Sequence, residues 1–154
     1  MITGVWHFSF TVSDLERSLA FYRDILGLEV IHTQRQANHY TRQLVGYPDT
    51  DLKVAMLRIP GTDPRPSGHF LELVEYVTPR GQRVDTATKN PGSAHLALAV
   101  DDIHAEYRRL KACVVRFRSE PVLITDGRNR GGYTVYLEEP DGITIELVQP
   151  PKHM

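Results

Sequence analysis

The sequence predicts an α+β fold built from two βαβββ modules, and two internal repeats carry that prediction. Residues 7–15 resemble residues 95–103, at an offset of 88 positions. Residues 71–74 resemble residues 145–148, at an offset of 74 positions. Self-similarity of this kind indicates a duplicated structural unit, and each copy combines one helical pattern with several strand patterns. We therefore expect a curved mixed sheet that encloses a cavity shared by the two modules.

Length and charge limit the kinds of protein to consider. The chain has 154 residues, of which 41% are hydrophobic and 24% are charged, as in a soluble globular domain. We expect one domain over residues 1–154, with the first module at about 4–77 and the second at about 93–149. The net charge of −1 excludes the basic footprint of a nucleic-acid-binding or anionic-membrane-binding protein. A small molecule is the expected partner.

Targeting signals and cysteines predict where the protein works. The first residues lack the basic and apolar regions of a signal peptide. No apolar stretch approaches the roughly 20 residues of a membrane-spanning helix. Cys113 is the single cysteine, so neither an internal disulfide framework nor a thiolate zinc cluster can form. We expect a cytoplasmic protein.

The first module begins with a strand, because apolar residues at positions 6, 8, 10 and 12 alternate with polar ones. Ser13 and Glu16 match a capping box, so we expect a helix that begins after Ser13. Gly27 fits the left-handed position just past its end. We expect further strands at 28–33, 52–59 and 69–76, an irregular loop at 34–51 and a turn at 60–68.

The second module repeats this plan after a polar linker at 78–91. Asp101 is the expected N-cap of its helix. Val114 stands where a helix commonly ends in left-handed geometry, so this helix end must close differently or be strained. We expect strands at 94–100, 114–117, 133–138 and 143–148, a helix at 103–112, and turns at 127–132 and 139–142.

Strand alternation places four side chains on the faces away from the apolar core. Side chains along a strand point to alternate faces. His7 and His95 alternate with apolar neighbours in the first strand of each module, and Glu72 and Glu146 do so in the last strand. If the strands curl around one cavity, all four side chains converge inside it.

A divalent metal ion is the simplest reason for two histidines and two glutamates to face one cavity. Unpaired buried charges are costly, whereas imidazole and carboxylate groups are ordinary ligands of zinc, nickel, cobalt, iron or manganese. Two carboxylates also cancel the 2+ charge. We therefore expect one divalent metal ion per site.

The chain resembles the vicinal-oxygen-chelate superfamily, which includes glyoxalase I, methylmalonyl-CoA epimerase, extradiol dioxygenases and fosfomycin- and bleomycin-resistance proteins. The resemblance covers nearly all of residues 4–149 and implies a homodimer. The family's four ligand positions fall on His7, Glu72, His95 and Glu146. The motifs that carry it are His7 and the segments 14–22, 26–28, 70–73, 92–95 and 141–146.

The first functional hypothesis is a metal-dependent isomerase or lyase. The ligand set resembles that of bacterial-type glyoxalase I and of the epimerase, which typically has glutamine at the position of Glu72. In both, the resemblance implies proton abstraction next to a carbonyl whose oxygen binds the metal. Glu146, or alternatively Glu72, would be the base.

The second hypothesis is an extradiol-type ring-cleaving dioxygenase. Tyr136 precedes Glu146 by ten residues, which matches part of that family's pattern and makes Tyr136 a third catalytic candidate. However, the histidine expected a few residues before the tyrosine is absent. Glu72 would also crowd the open positions that oxygen and substrate need.

The third hypothesis is a metal-free binding module, like the drug-sequestering members of the superfamily. Such proteins need no ligand set, so the intact pattern argues against this alternative. The sequence leaves the substrate, the metal, and the choice between a site within one chain and a site across two chains open.

Overall fold

The structure is a computed structural model that describes residues 1–62 and 70–152. Most of the predicted turn at 60–68, and the predicted first residue of the following strand, His69, lie outside these ranges. The chain divides into two compact units, Met1–Arg83 and Val84–Met154. No helix in the described part is long and apolar enough to cross a membrane.

The elements follow the α+β plan predicted from the sequence. The first unit contains β1 (His7–Val12), α1 (Leu15–Leu19) with a π-helical continuation (Ala20–Ile25), β2 (Glu29–Gln36), α2 (His39–Val45), β3 (Asp51–Arg58) and β4 (Phe70–Thr78). The second unit contains β5 (His95–Ala99), α3 (Ile103–Ala112), β6 (Arg116–Phe117), β7 (Val122–Leu123), β8 (Tyr133–Glu138) and β9 (Thr144–Gln149).

Each unit forms its own mixed sheet. The order is β1-β4-β3-β2 in the first unit and β5-β9-β8-β6 in the second, where β7 also pairs with β8. The first and last strands of each unit, β1 with β4 and β5 with β9, run parallel. Parallel neighbours need a crossover connection, and α1 and α3 lie in these connections. The sheets therefore consist of four and five strands with a helix on one face.

A side chain from the last strand anchors the start of the helix in each unit. The Leu15 backbone N–H donates to Glu75 Oε2 at 2.9 Å. In the second unit the Ile103 N–H donates to Gln149 Oε1, also at 2.9 Å. Each acceptor satisfies one of the helix's unpaired N-terminal donors. These contacts show that Glu75 and Gln149 lie on the helix-covered faces of β4 and β9.

The N-cap of each helix lies one residue later in the chain than predicted. Asp14, not Ser13, is the N-cap of α1, and its Oδ1 accepts from the Arg17 N–H. Asp102, not Asp101, caps α3 and accepts from the Ala105 N–H. In both places two adjacent side chains are good caps, so the residue types alone could not decide the boundary.

The segment predicted as an irregular loop at 34–51 contains a helix, so that prediction is wrong. Strand β2 extends to Gln36, and α2 follows with Asn38 as its N-cap. Gly46 closes α2 in the left-handed conformation with φ of 79°. The helix has seven residues and Thr41 is its buried residue, so it shows no apolar period that the sequence could reveal.

Other boundaries differ by small amounts. Helix α3 and strand β8 have the predicted limits, whereas β6 is shorter than predicted and β7 was not predicted. The apolar face expected along the first strand is only half correct. Phe10 and Val12 are buried, but Trp6 and Phe8 are 63% and 38% exposed.

The end of α3 places a β-branched residue in left-handed geometry. Val114 has φ of 62° and is 91% exposed. The Val115 N–H donates to the Leu110 carbonyl and the Val114 N–H to the Lys111 carbonyl, which is the Schellman arrangement that usually has glycine at this position. The predicted conflict is thus resolved by strain: the helix end keeps its geometry and the valine adopts an unfavourable conformation.

Replacing Val114 by glycine should stabilise the protein. Because a left-handed non-glycine residue costs about 1–2 kcal/mol, we expect Val114→Gly to raise the free energy of unfolding by about 1 kcal/mol after the entropic cost of glycine. Urea denaturation checks this. Val122→Gly, an exposed strand valine, is the matched control and should destabilise. A Val114→Gly protein no more stable than the unmodified chain would contradict the account.

Replacing Glu75 separates the helix anchor from its charge. Glu75→Ala leaves the buried Leu15 N–H without this acceptor and should lower the free energy of unfolding by about 1–3 kcal/mol. Glu75→Gln keeps an amide oxygen, as Gln149 provides in the second unit, and loses only the contact with the half-exposed Lys53, which should cost less than about 1 kcal/mol. Equal losses in the two variants, measured by urea denaturation, would contradict the anchoring role.

Candidate functional site

His7 and Glu72 meet on the open face of the first unit's sheet. Glu75 lies on the helix-covered face, so Glu72, three residues earlier, points to the opposite face. The parallel register places Ser9 beside Glu72, and His7 is two residues before Ser9 on the same face. His7 Nε2 lies 3.4 Å from Glu72 Oε2. The pair predicted from strand alternation is therefore in contact.

His95 and Glu146 form the equivalent contact in the second unit. Gln149 lies on the helix-covered face, so Glu146 points away from α3. Ala97 is the register partner of Glu146, and His95 is again two residues earlier. His95 Nε2 lies 3.1 Å from Glu146 Oε2. The same two-residue offset in both units means that the duplication preserved the geometry of the pair.

A hydroxyl group holds the second unit's carboxylate in place. The Thr134 hydroxyl lies 2.6 Å from Glu146 Oε1, to which it donates. Glu146 therefore has one oxygen on Thr134 and the other near His95, and its side chain is only 18% exposed. Fixing both oxygens of a carboxylate sets its direction. Sequence reasoning missed Thr134, although it shares the parity of Tyr136 along β8.

Tyr136, the third catalytic candidate from the sequence, lies beside His95. Tyr136 and Glu146 are register partners on β8 and β9. The rings of His95 and Tyr136 lie 5.5 Å apart. The Arg118 guanidinium carbon lies 5.6 Å from the centre of the Tyr136 ring. Tyr136 thus links the His95–Glu146 pair to a cationic side chain that sequence reasoning did not select.

In the first unit, an apolar cluster follows Glu72 along the same sheet face. Leu52, Val54 and Val74 form a buried cluster against which Tyr76 and Val45 of α2 pack. Val74 and Tyr76 follow Glu72 at alternate positions of β4 and share its face. Burial, followed by the charges of Tyr47 and Glu72, raises the pKa of Tyr76 above its usual value. Tyr76 therefore remains a neutral phenol near Glu72.

The donor atoms of the two pairs suit a divalent metal ion. Each pair offers an imidazole nitrogen and a carboxylate oxygen, which zinc and other first-row ions accept. Among the described residues, no group forms a hydrogen bond with the buried Nδ1 atom of His7. Within residues 1–62 and 70–152, no group of three or more His, Cys, Asp or Glu side chains is arranged to hold a metal. Each pair offers two ligands, whereas a tetrahedral zinc site usually has four.

Comparison with known proteins identifies a family match over nearly the whole chain. Residues 4–147 match the model of the glyoxalase/bleomycin resistance protein/dioxygenase superfamily. The chain is 34% identical to a 2-epi-5-epi-valiolone epimerase from Actinomyces sp., over 96% of this chain and 80% of the relative. It is 28% identical to the lactoylglutathione lyase of Haemophilus influenzae, over 94% of this chain and 91% of the relative.

Solved structures agree on the fold. A glyoxalase family protein from Bacillus cereus superposes with a TM-score of 0.81 and covers 98% of this chain and 96% of its own. The two sequences are 19% identical. This similarity concerns the fold, and it agrees with the α+β architecture described above.

Proposed function

Because the chain belongs to the glyoxalase/bleomycin resistance protein/dioxygenase superfamily, we propose that it is a divalent-metal-dependent isomerase or lyase that moves a proton next to a carbonyl group. The chain is an enzyme of this superfamily. The observation that carries the specific proposal is the duplicated His–Glu contact, with the same two-residue register offset in both sheets. Both pairs lie on the sheet faces opposite the helix-anchoring residues Glu75 and Gln149.

The proposed ligands are His7 and Glu72 from the first unit and His95 and Glu146 from the second. Two imidazoles and two carboxylates complete a four-ligand set and neutralise a 2+ ion such as nickel, zinc, cobalt, manganese or iron. When bound, such an ion supplies a Lewis acid that stabilises negative charge developing on the carbonyl oxygen of a substrate. The two pairs come from one chain or from two chains of a homodimer, which we also propose.

Glu146 is the proposed base. A general base must be held within reach of the proton that it removes. Thr134 fixes one oxygen of Glu146 and directs the other toward His95, so the carboxylate has one defined approach to a substrate. Glu72 is the alternative base. Its described contact is with His7 alone, which leaves its second oxygen available to a proton.

Tyr136 is assigned a positioning role rather than proton transfer. Its ring contacts both His95 and Arg118 and would limit the movement of both side chains. This assignment favours the isomerase or lyase over the ring-cleaving dioxygenase, for which Tyr136 was the acid–base candidate. The units are further proposed to form a single domain over residues 1–154.

The proposed substrate is a small molecule with an acidic C–H bond next to a carbonyl. The relatives' names point to two such classes, the hydroxylated cyclic ketone 2-epi-5-epi-valiolone and the thioester lactoylglutathione. Both compounds are usable probes. Exchange of the C–H proton with deuterated solvent reports proton abstraction whether or not the full reaction proceeds.

Removing the base should abolish exchange. In deuterated water with added nickel or zinc, we expect the unmodified protein to exchange the proton next to the carbonyl of one of these two probes, measured by proton NMR. Glu146→Gln should lower the exchange rate by about 100-fold or more. Glu72→Gln should weaken metal binding, and exchange should return at high metal concentration.

The paired variants make this test decisive. Exchange at the unmodified rate in Glu146→Gln would overturn its role as the base. If Glu72→Gln shows no exchange at any metal concentration while Glu146→Gln still exchanges, Glu72 is the base. No exchange of either probe by the unmodified, metal-loaded protein would contradict the proposed reaction on these substrate classes.

Removing the Thr134 hydroxyl should weaken the proposed metal site. Thr134→Val keeps the shape of the side chain but cannot donate to Glu146, and loss of such a supporting hydrogen bond typically lowers metal affinity about 10–100-fold. Isothermal titration calorimetry with zinc measures the change. Thr33→Val is the control. Thr33 lies in β2 of the first unit, on the sheet face opposite Glu72, so zinc affinity should be unchanged. Unchanged affinity in Thr134→Val would contradict the arrangement.

A further inference from the structure

The second unit contains a cavity of about 440 Å³ on the sheet that carries His95 and Glu146. It is lined by the segment from Asp85 to Lys89, by Arg116, Arg118 and Glu138, and by Gly142. Glu138 lies on the same sheet face as Tyr136 and Thr134, because all three occupy alternate positions of β8. The cavity therefore opens on the face that presents Glu146, and not on the face covered by α3.

The surrounding groups fix Arg118 in one orientation. One terminal nitrogen donates to the Thr88 hydroxyl at 3.0 Å and the other to the Thr144 hydroxyl at 2.7 Å. Its Nε lies 3.7 Å from Glu138 Oε1. The Tyr136 ring lies against the guanidinium. A guanidinium held from several sides loses little entropy when it binds a ligand.

The charges around the cavity favour an anion. Three cationic side chains, Lys89, Arg116 and Arg118, face two acidic ones, Asp85 and Glu138. Both acids are already engaged by the protein: Asp85 accepts from the Ala87 N–H, and Glu138 pairs with Arg116 and Arg118. The hydrogen bond from Ala87 also lowers the pKa of Asp85.

The hydroxyl of Thr88 adds a donor to this cationic lining. Its oxygen accepts from Arg118, so its own hydrogen points elsewhere and is available to a ligand. Guanidinium, ammonium and hydroxyl donors around a cavity of this size match the oxygens of a compact oxyanion. Three cationic and two acidic side chains leave the lining with a net charge of +1.

We propose that this cavity binds the carboxylate or phosphate group of the substrate through Arg118 and the segment 85–89. The Tyr136 ring lies 5.6 Å from the Arg118 guanidinium and 5.5 Å from the His95 ring. An anionic group held here lies one aromatic ring away from the proposed metal ligands. The use of the cavity as a substrate subsite rests on the proposed function, whereas oxyanion binding itself does not.

The test is a titration of the full chain with inorganic phosphate and, separately, with acetate, followed by amide shifts in two-dimensional NMR. Ionic strength is held constant with chloride, and a chelator removes metal so that phosphate cannot bind there. We expect saturable shifts centred on residues 85–89 and on β6. Arg118→Gln should weaken binding about tenfold or more, since a fixed charge-assisted donor is lost. Arg118→Lys keeps the positive charge but loses the planar guanidinium, so its affinity for the anion should lie between those of the unmodified chain and Arg118→Gln.

Arg108→Gln, an exposed substitution on α3, is the matched control and should bind as the unmodified chain does. The tighter of the two anions identifies the group that the cavity prefers, and either preference supports the proposal. Shifts that do not saturate, that spread over all basic residues, or that persist at full strength in Arg118→Gln would overturn it.

The outcome is independent of the proposed catalytic function. The titration uses no metal and no turnover, so phosphate binding that depends on Arg118 stands even if the deuterium exchange experiment fails. Exchange that proceeds normally while neither anion binds would reject the cavity as a subsite and leave the isomerase or lyase proposal intact.

Discussion

The parallel pairing of the first and last strands in each unit is the constraint on which the site depends. It sets Ser9 beside Glu72 and Ala97 beside Glu146, and so puts each histidine within reach of its glutamate. The crossover that parallel pairing requires contains the helix, which covers the other face. Side chains at alternate positions then separate into a core face and an open face. The His–Glu contacts follow from this pairing and would be lost by a one-residue shift of register.

The duplicated His–Glu pairs have diverged in their surroundings. Apolar residues and the partly buried Tyr76 share the sheet face of Glu72, whereas the pair in the second unit is near Thr134, Tyr136 and Arg118. A polar, hydrogen-bonded carboxylate suits proton transfer, and adjacent cations suit substrate recognition. An apolar setting strengthens the attraction between a carboxylate and a cation. Under the proposed function, the first unit would contribute mainly to the metal site, and the second would also supply the base.

The sequence predicted those features that depend on local periodicity. Strand alternation placed each histidine on the face of its glutamate, because a period of two holds whatever the neighbouring strand is. Helix α2 was missed because Thr41 is its buried residue, and the cap of α1 was misplaced because Ser13 and Asp14 are both suitable. Arg118 was missed because its surroundings come from the pairing of strands that are distant in the chain, with Thr88 and Thr144 as its partners.

Metal content measured on three proteins tests most directly whether the two pairs hold one ion. Inductively coupled plasma mass spectrometry gives the metal content of three proteins purified without a tag: the unmodified chain, His7→Ala and His95→Ala. One shared site predicts about one ion per chain, and either substitution alone should remove nearly all of it, although the two histidines lie in different units. Two ions per chain, or a loss of only half of the metal in each variant, would mean that each pair binds separately and would contradict a shared metal centre.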